Sequence, residues 1–271
     1  MHIAYTRARA LSYVSPNPHM HKLIVSAVVA AGLAGPAVFA QEISKPLTLD
    51  ELVAKNVEAK GGAKALKDLQ SVKLTGKMLV NGGRVQFGYS TVKKRPGEVR
   101  SEYSMQGMTA VQAYDGKEGW KISPFQGRKD PEKMSADDVK SLIEDSEIDG
   151  PLIDWKAKGS TVEYLGTEDV DGTPAHKLKV VRKNGDVNFV YLDPDHFLEI
   201  RIITQRVENG AQVEIETDLG DYEKVNGVFV PFSIEAGRKG DPDKQKIVIE
   251  KAEGNLQVDD AAFRFPTTAS K

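Results

Sequence analysis

The chain has 271 residues and a formal net charge of −2. This balance disfavours nucleic acid as a partner, because proteins that bind nucleic acid carry a clear basic excess. The sequence contains no cysteine, which excludes disulfides, thiolate metal sites and cysteine nucleophiles.

The N-terminal region has the pattern of an export signal. A basic pair after Met20 is followed by an apolar stretch from Leu23 to Ala34 and by small residues up to Ala40. Secretory signals combine a basic start, an apolar core of about 7–15 residues and small residues at the cleavage site. We therefore predict a signal peptide over residues 20–40 and a periplasmic location. The apolar run is shorter than the about 20 residues of a membrane span, so we expect no permanent anchor.

Residues 1–19 do not fit an export signal, because they contain Arg7, Arg9 and two prolines. We interpret them as a non-native extension upstream of the true start. Residues 41–271 are predicted to form one soluble domain. Without a cysteine to lipidate, any association with a membrane would have to come through binding.

The first element after the cleavage site is predicted to be a helix. Thr48 and Glu51 have the spacing of a capping box. Apolar residues recur on one face of this helix, at Leu49, Leu52, Val53 and Val57. Gly61-Gly62 ends it, and a short helical turn from Ala63 to Leu69 leads into strands.

From Ser71 onward the apolar period falls from 3.6 to 2, which is typical of strands. Asn81-Gly82-Gly83 joins the first two strands as a hairpin. Three more strands are predicted at Glu98–Met105, Met108–Tyr114 and Gly119–Ile122. Later strands are predicted at Thr161–Val170, Ala175–Arg182, Asp186–Asp193, Leu198–Val207, Ala211–Tyr222, Val228–Ala236 and Lys246–Glu253.

About 11–12 strands joined by short turns form a sheet that curls, because twisted open sheets of this size seldom stay flat. The sequence therefore predicts a mainly β fold with α elements (α+β). We expect an incomplete antiparallel β-barrel with an N-terminal helix and an inserted helical lid.

The lid is predicted where the strand pattern stops, between Met134 and Trp155. Ser135 and Asp138 have cap spacing. Apolar residues at helical spacing follow, at Val139, Leu142, Ile143, Leu152, Ile153 and Trp155. Two short amphipathic helices over about residues 135–157 are therefore expected. In this position they could plug the mouth of a curled sheet and move aside when it is occupied.

Candidate catalytic groups are few. After cleavage only His176 and His196 remain, in a predicted strand and turn, with no partner at ligand spacing. The acidic residues of the lid lack the glycine and alternating oxygen ligands of a calcium loop, so we interpret them as a solvated helix face. The acidic residues are Asp137, Asp138, Glu144, Asp145, Glu147 and Asp149. We predict no catalytic residue, no metal site, no cofactor and no enzymatic activity.

Apolar side chains from consecutive strands and from the lid form the candidate binding site. They are Leu74, Met78, Phe87, Tyr89, Tyr103, Met105, Met108, Trp120, Ile122, Leu142, Ile143, Leu152, Ile153 and Trp155. One interpretation is an ordinary filled core. The other is a cavity lined by methionine and aromatic residues, which adapt to flexible ligands.

Several short motifs resemble those of a known family. Lys94-Arg95-Pro96, Asp115-Gly116-Lys117 with Trp120, and Pro124-Phe125 resemble segments of the periplasmic lipoprotein carriers of the Lol pathway. Further matches to the longer lipoprotein-sorting relatives are Tyr191-Leu192-Asp193, Asn226-Gly227 with Pro231, and Asp260 to Pro266. The resemblance covers most of the chain after residue 40.

This resemblance to LolA-like proteins implies an incomplete barrel whose helical lid covers a hydrophobic cavity for the acyl chains of outer-membrane lipoproteins. It also implies that Arg95 holds the lid shut through hydrogen bonds. Without the resemblance, an arginine before proline at a strand end is usually a solvated turn residue.

The leading hypothesis is a soluble, monomeric periplasmic carrier of lipoproteins or another lipid. It would accept cargo from an inner-membrane transporter and deliver it to an outer-membrane acceptor. Burial of acyl chain contributes about 0.8 kcal/mol per CH₂, roughly 12 kcal/mol for a sixteen-carbon chain, so a lid that competes with cargo would permit release. The alternative is a periplasmic sensor of mislocalised lipoprotein or lipopolysaccharide.

Overall fold

The structure is a computed structural model that describes residues 46–266. The predicted signal peptide and the upstream extension lie outside the described residues. Within them the helices are α1 (Leu49–Ala59), α2 (Ala63–Asp68) and α3 (Ala136–Asp145), with short 3-10 turns at Pro124–Gln126 and Asp260–Ala262.

Thirteen strands lie in two groups on either side of α3. The first group is β1 (Ser71–Val80), β2 (Val85–Lys94), β3 (Glu98–Met105), β4 (Met108–Tyr114), β5 (Gly119–Ser123) and β6 (Arg128–Lys133). The second group is β7 (Thr161–Val170), β8 (Thr173–Val181), β9 (Val187–Leu192), β10 (Glu199–Glu208), β11 (Ala211–Val225), β12 (Val228–Arg238) and β13 (Gln245–Gly254).

All strands belong to one open antiparallel sheet. Its order is β6-β5-β4-β3-β2-β1-β13-β12-β11-β10-β9-β8-β7. The first and last strands pair in the middle, where Met78 lies opposite Ile247. The two edges are therefore β6 and β7, and the segment that joins them, residues 134–160, is called the insert below.

Helix α3 shows that the sheet is curled. It contacts β3 and β4 on one side and β10 on the other, and five strands separate β3 from β10 in the sheet. A helix about 10–12 Å wide touches both only if the sheet bends around it. The predicted incomplete barrel is thus confirmed, and α3 and the rest of the insert lie on its concave face.

The two faces of the sheet differ in polarity. On β12 and β13, Ile234 and Ile247 lie opposite each other on the concave face. Their chain neighbours Ser233, Glu235 and Lys246 point to the convex face, because successive side chains alternate. The concave face is therefore apolar here and the convex face polar.

The N-terminal helix begins as predicted. The Thr48 hydroxyl accepts a hydrogen bond from the Glu51 backbone at 3.3 Å, and the Glu51 carboxylate accepts one from the Thr48 backbone at 2.7 Å. Leu52 is fully buried, and Asn56 Nδ2 donates to the carbonyl of Phe197 at 2.8 Å. The capping box thus positions α1 against the strands of the second group.

Two details of the predicted fold are wrong. The first is strand β6 (Arg128–Lys133), which was not predicted because its residues lack apolar alternation. Its proline is compatible with a strand because β6 lies at an edge of the sheet. The second lid helix does not form, since residues 151–160 are turns. Asp154 and Gly150 have φ values of 52° and 81°, which a right-handed helix cannot contain.

Candidate functional site

Helix α3 packs closely on the concave face. Ser135 Oγ caps it by accepting from the Asp138 backbone at 3.1 Å. A Cβ on Gly119 of β5 would lie 2.1 Å from Val139 Cγ2, so glycine permits this close approach. Lys121 Nζ reaches the Asp138 carboxylate at 3.4 Å from the same strand.

The other side of α3 is held to the turn between β10 and β11. Lys140 Nζ donates to the carbonyl of Val207 at 2.9 Å, and the Asn209 backbone donates to Asp137 Oδ2 at 3.1 Å. Leu142 is buried, whereas Ile143, expected on the same apolar face, is 37% exposed. Helix α3 therefore bridges the two halves of the sheet largely through polar contacts.

The rest of the insert is packed as core. Leu152 is fully buried against strands β8 and β9, and Ile153 packs against Leu66, Leu69 and Val228. Trp155, also a predicted cavity residue, is partly exposed, with Lys156 Nζ 4.9 Å from its ring centre. Leu152 and Ile153 thus belong to two separate buried clusters, and all three residues lie in turns or bends rather than in a helix.

Arg95 contacts both α2 and the insert. Its Nη1 donates to Asp149 Oδ2 at 2.8 Å, and Nη2 donates to Asp149 Oδ1. Nε and Nη2 also donate to the carbonyls of Leu69 and Leu66, each at 2.9 Å. This two-pronged ion pair joins the residue that follows β2 to the loop that follows α3.

A second cation reaches the same place from α1. Lys60 Nζ donates to the carbonyl of Asp149 at 2.9 Å and to Glu199 Oε1 at 3.0 Å. Both side chains are buried, at 10% and 3% exposure. Lys60 and Glu199 are 139 residues apart, and no local sequence pattern relates them.

An apolar groove lies beside Arg95. It has a volume of about 790 Å³ and is formed by α1, α2 and residues 149–157, within the range of about 300–1,000 Å³ typical of ligand sites. Apolar residues that line it include Val53, Val57, Leu66, Ile153 and Trp155. Arg95 and Asp149 line it as well.

Seven of the predicted cavity residues lie on the concave face. Strand pairing places Met78 opposite Phe87, Tyr89 opposite Tyr103, and Met105 opposite Met108. Leu74 contributes to the same face. Apart from Leu74, which is buried, these side chains keep exposed surface. The rings of Tyr89 and Tyr103 are 5.7 Å apart.

Trp120 and Ile122 lie on the opposite, convex face. They alternate with Gly119 and Lys121, which face α3. Trp120 Nε1 donates to the carbonyl of Phe263 at 2.7 Å, and the C-terminal segment covers both side chains. Their assignment to the cavity is thus corrected, and the residues overlooked on the concave face include Leu219, Phe232, Ile234 and Ile247.

The acidic residues of the insert are not a uniformly solvated face. Asp149 is 5% exposed and paired with Arg95. Glu144 Oε1 accepts hydrogen bonds from Asn188 Nδ2 at 2.7 Å and Thr204 Oγ1 at 3.1 Å. Burial raises the pKa of the Glu144 and Asp145 carboxyls. Glu144 and Asp149 therefore point inward, whereas Asp145 is exposed; residue spacing alone did not indicate this difference.

The two histidines have structural partners. His176 Nδ1 lies 2.9 Å from the Tyr164 hydroxyl, and its ring stacks on Phe197. His196 Nδ1 lies 3.0 Å from Asp193 in a turn. Among residues 46–266 no group of three or more His, Asp or Glu side chains is placed to hold a metal ion.

No helix in the described part of the chain is both long and apolar enough to span a membrane. No family model matches the sequence, and no curated protein matches it. Similarity is found at the level of solved structures.

A putative outer membrane lipoprotein-sorting protein domain from Vibrio parahaemolyticus matches with a TM-score of 0.55 and 11% identity, over 79% of this chain and 94% of that one. A LolA superfamily protein from Nitrosomonas europaea matches with a TM-score of 0.55 and 11% identity, over 81% and 98%. A DUF1329 family protein from Desulfovibrio piger gives 0.54 and 13%, over 79% and 96%. The chain therefore has the fold found in these LolA superfamily and lipoprotein-sorting domains, as the resemblance predicted.

Proposed function

We propose that this chain is a soluble periplasmic carrier that binds the acyl chains of lipoproteins or another lipid and transfers them towards the outer membrane. The observation that carries the proposal is the apolar concave face, which stays partly exposed beneath the insert. The shared fold with a lipoprotein-sorting domain supports it.

Part of the concave face keeps apolar surface exposed, beyond the buried clusters around Leu74 and Leu152. Its apolar side chains that keep partial exposure include Met78, Phe87, Tyr89, Tyr103, Met105, Ile234 and Ile247. A filled core would bury most of them, because protein interiors are close-packed. Binding of an acyl chain along this face would remove both the chain and the face from water. The free energy of binding would improve by about 0.8 kcal/mol for each buried CH₂.

The insert acts as the lid in this proposal. Helix α3 covers the concave face through polar contacts, and Arg95 holds Asp149 where α3 ends. The closed lid competes with cargo for the same face. Cargo therefore binds more weakly than expected from the free energy of transferring its acyl chains out of water, and it can be released. The groove beside Arg95 adds a second apolar surface at this junction.

We further propose that the chain works as a monomer after cleavage of its signal peptide. It would receive cargo from an inner-membrane transporter and pass it to an outer-membrane acceptor, with no covalent chemistry. No catalytic constellation is needed for that task.

Mass spectrometry of organic extracts from protein purified from periplasm tests the proposal directly. We expect a co-purified lipid, and uptake of a fluorescent fatty acid by the emptied protein. A matched pair of variants locates the site: Ile234→Glu places a charge on the concave face, and Ser233→Glu places the same charge on the convex face. Uptake should fall only in the first. Absence of lipid together with absence of uptake would refute the carrier function.

A further inference from the structure

Three cations lie on the concave side of the sheet, facing the insert. Lys93 is on β2, opposite the concave residue Val72. Arg182 follows β8, and Arg206 is on β10; their side chains are 13% and 11% exposed. They come from both halves of the sheet, and α3 spans the space between them.

The insert supplies the counter-charges. Glu144 lies 3.5 Å from Arg206 Nη1 and 3.9 Å from Arg182 Nη1. Glu147 accepts a hydrogen bond from Arg182 Nη2. Arg182 therefore has its carboxylate partners on the insert, whereas Arg206 has a further partner in Glu208 of its own strand, at 2.7 Å.

Lys93 and Asp145 lie near each other without a direct partner. Neither makes an ion pair within residues 46–266, although each lies in the electrostatic field of the other. Burial lowers the pKa of the Lys93 ammonium and raises the pKa of the Asp145 carboxyl. The Asp145 residue is exposed at the molecular surface, and Lys93 is half-buried.

We propose that Lys93, Arg182 and Arg206 bind the phosphate of a lipid headgroup, and that the carboxylates of the insert occupy this site while the lid is closed. The inference rests on the carrier function proposed above and specifies its cargo as an anionic lipid. Arginine binds phosphate through paired N–H donors, and lifting of α3 would take Glu144 and Asp145 away from these cations.

The apolar surface adjoins these charges. Asp145 lies close enough to Tyr89 and Tyr103 to influence both phenols electrostatically. An amphipathic molecule could therefore place its phosphate among the cations and its chains along the tyrosine, methionine and phenylalanine wall. This adjacency favours a lipid headgroup over free phosphate, which would use only the charged part.

The test compares two fluorescent lipids with identical acyl chains, phosphatidylglycerol and diacylglycerol, which differ in the phosphate headgroup. We expect the full chain to bind phosphatidylglycerol about tenfold more tightly, the equivalent of about 1.4 kcal/mol. Lys93→Met should remove most of this preference, and it breaks no ion pair within the described residues. Lys177→Met, on the convex face with Glu168 as its partner at 2.7 Å, is the matched control and should retain it.

A variant of the insert should have the opposite effect. Glu144→Gln removes a competing charge, so phosphatidylglycerol should bind several-fold more tightly while diacylglycerol binding changes little. Opposite effects of Lys93→Met and Glu144→Gln would support competition between insert and headgroup.

Other results separate the two proposals. Equal binding of both lipids by the unmodified protein would overturn the headgroup site and leave the carrier function intact. Failure to bind either lipid would refute the carrier function itself. Displacement of phosphatidylglycerol by micromolar inorganic phosphate would show that the three cations form a site for free phosphate. That result would overturn the proposal of a lipid-headgroup site.

Discussion

The two parts of the insert are held in different ways. Helix α3 touches the sheet mainly through charged and polar groups, and Ile143 on it remains exposed. The loop after it buries Leu152 and Ile153 in the core and fixes Asp149 with Arg95 and Lys60. We therefore propose that the loop is an anchor and that α3 is the part that lifts. Such a movement would expose Leu142 of α3 but would keep Leu152 and Ile153 in the core.

The largest effect on the anchor should come from Lys60→Met. The substitution leaves Glu199 buried without its cation, and Glu199 Oε2 already has no hydrogen-bond partner among the described residues. Breaking a buried ion pair costs about 3–5 kcal/mol. Urea unfolding should show this loss. Lys64→Met removes an exposed pair with Asp68 and should leave the midpoint unchanged; equal midpoints for the two variants would show that the anchor is not held this way.

Arg95→Leu should affect the junction more than the fold. Asp149 keeps the contact of its carbonyl with Lys60, and the Arg95 side chain is 28% exposed, so loss of the two-pronged pair should cost about 1.5–3 kcal/mol in total, less than loss of the buried Lys60–Glu199 pair. We expect faster release of a fluorescent fatty acid and a smaller change in unfolding. Arg95→Lys keeps the charge without the two-pronged geometry and should be intermediate. Unchanged loading and release in Arg95→Leu would remove the lid-holding role from this residue.

A smaller, pH-dependent effect is expected at the start of α3. Hydrogen bonds from Lys140 and from the Asn209 backbone hold the pKa of Asp137 below its usual range. A lowered folded pKa stabilises the docked helix at pH values above the unfolded pKa, and this contribution is lost as pH falls through the folded value. The protection factors of the α3 amides, which correct hydrogen exchange for its intrinsic pH dependence, should therefore fall on acidification relative to neutral pH. Asp137→Asn should reduce that difference, and an identical pH response in the variant would exclude Asp137 as its cause.

The sequence was most informative where pattern and turn chemistry coincide. Strand β7 was predicted with the observed bounds, and β3 and β4 likewise, because glycine turns and apolar alternation mark both ends. Strand β6 was missed because an edge strand needs no apolar face. The face of Trp120 could not be chosen from alternation alone: its burial depends on the C-terminal segment, 143 residues away.

The site was predicted less completely than the fold. Arg95 was identified through the family resemblance, whereas its partner Asp149 was interpreted as part of a solvated acidic face. The cations Lys60, Lys93 and Arg206 carry no local signal, since their relation to the insert depends on how far the sheet curls. The two-residue period of the strands indicates which side chains share a face of the sheet. It does not indicate which charged residues of the insert pair with charged residues of the sheet.

A reversible crosslink between α3 and the sheet tests the central claim most directly. A Cβ on Gly119 would lie 3.5 Å from Val139 Cβ, a separation that a disulfide can span, and the chain has no other cysteine to interfere. The double variant Gly119→Cys and Val139→Cys should exclude a fluorescent fatty acid when oxidised and bind it again after reduction. Equal uptake in the oxidised and reduced protein would contradict a lid formed by α3.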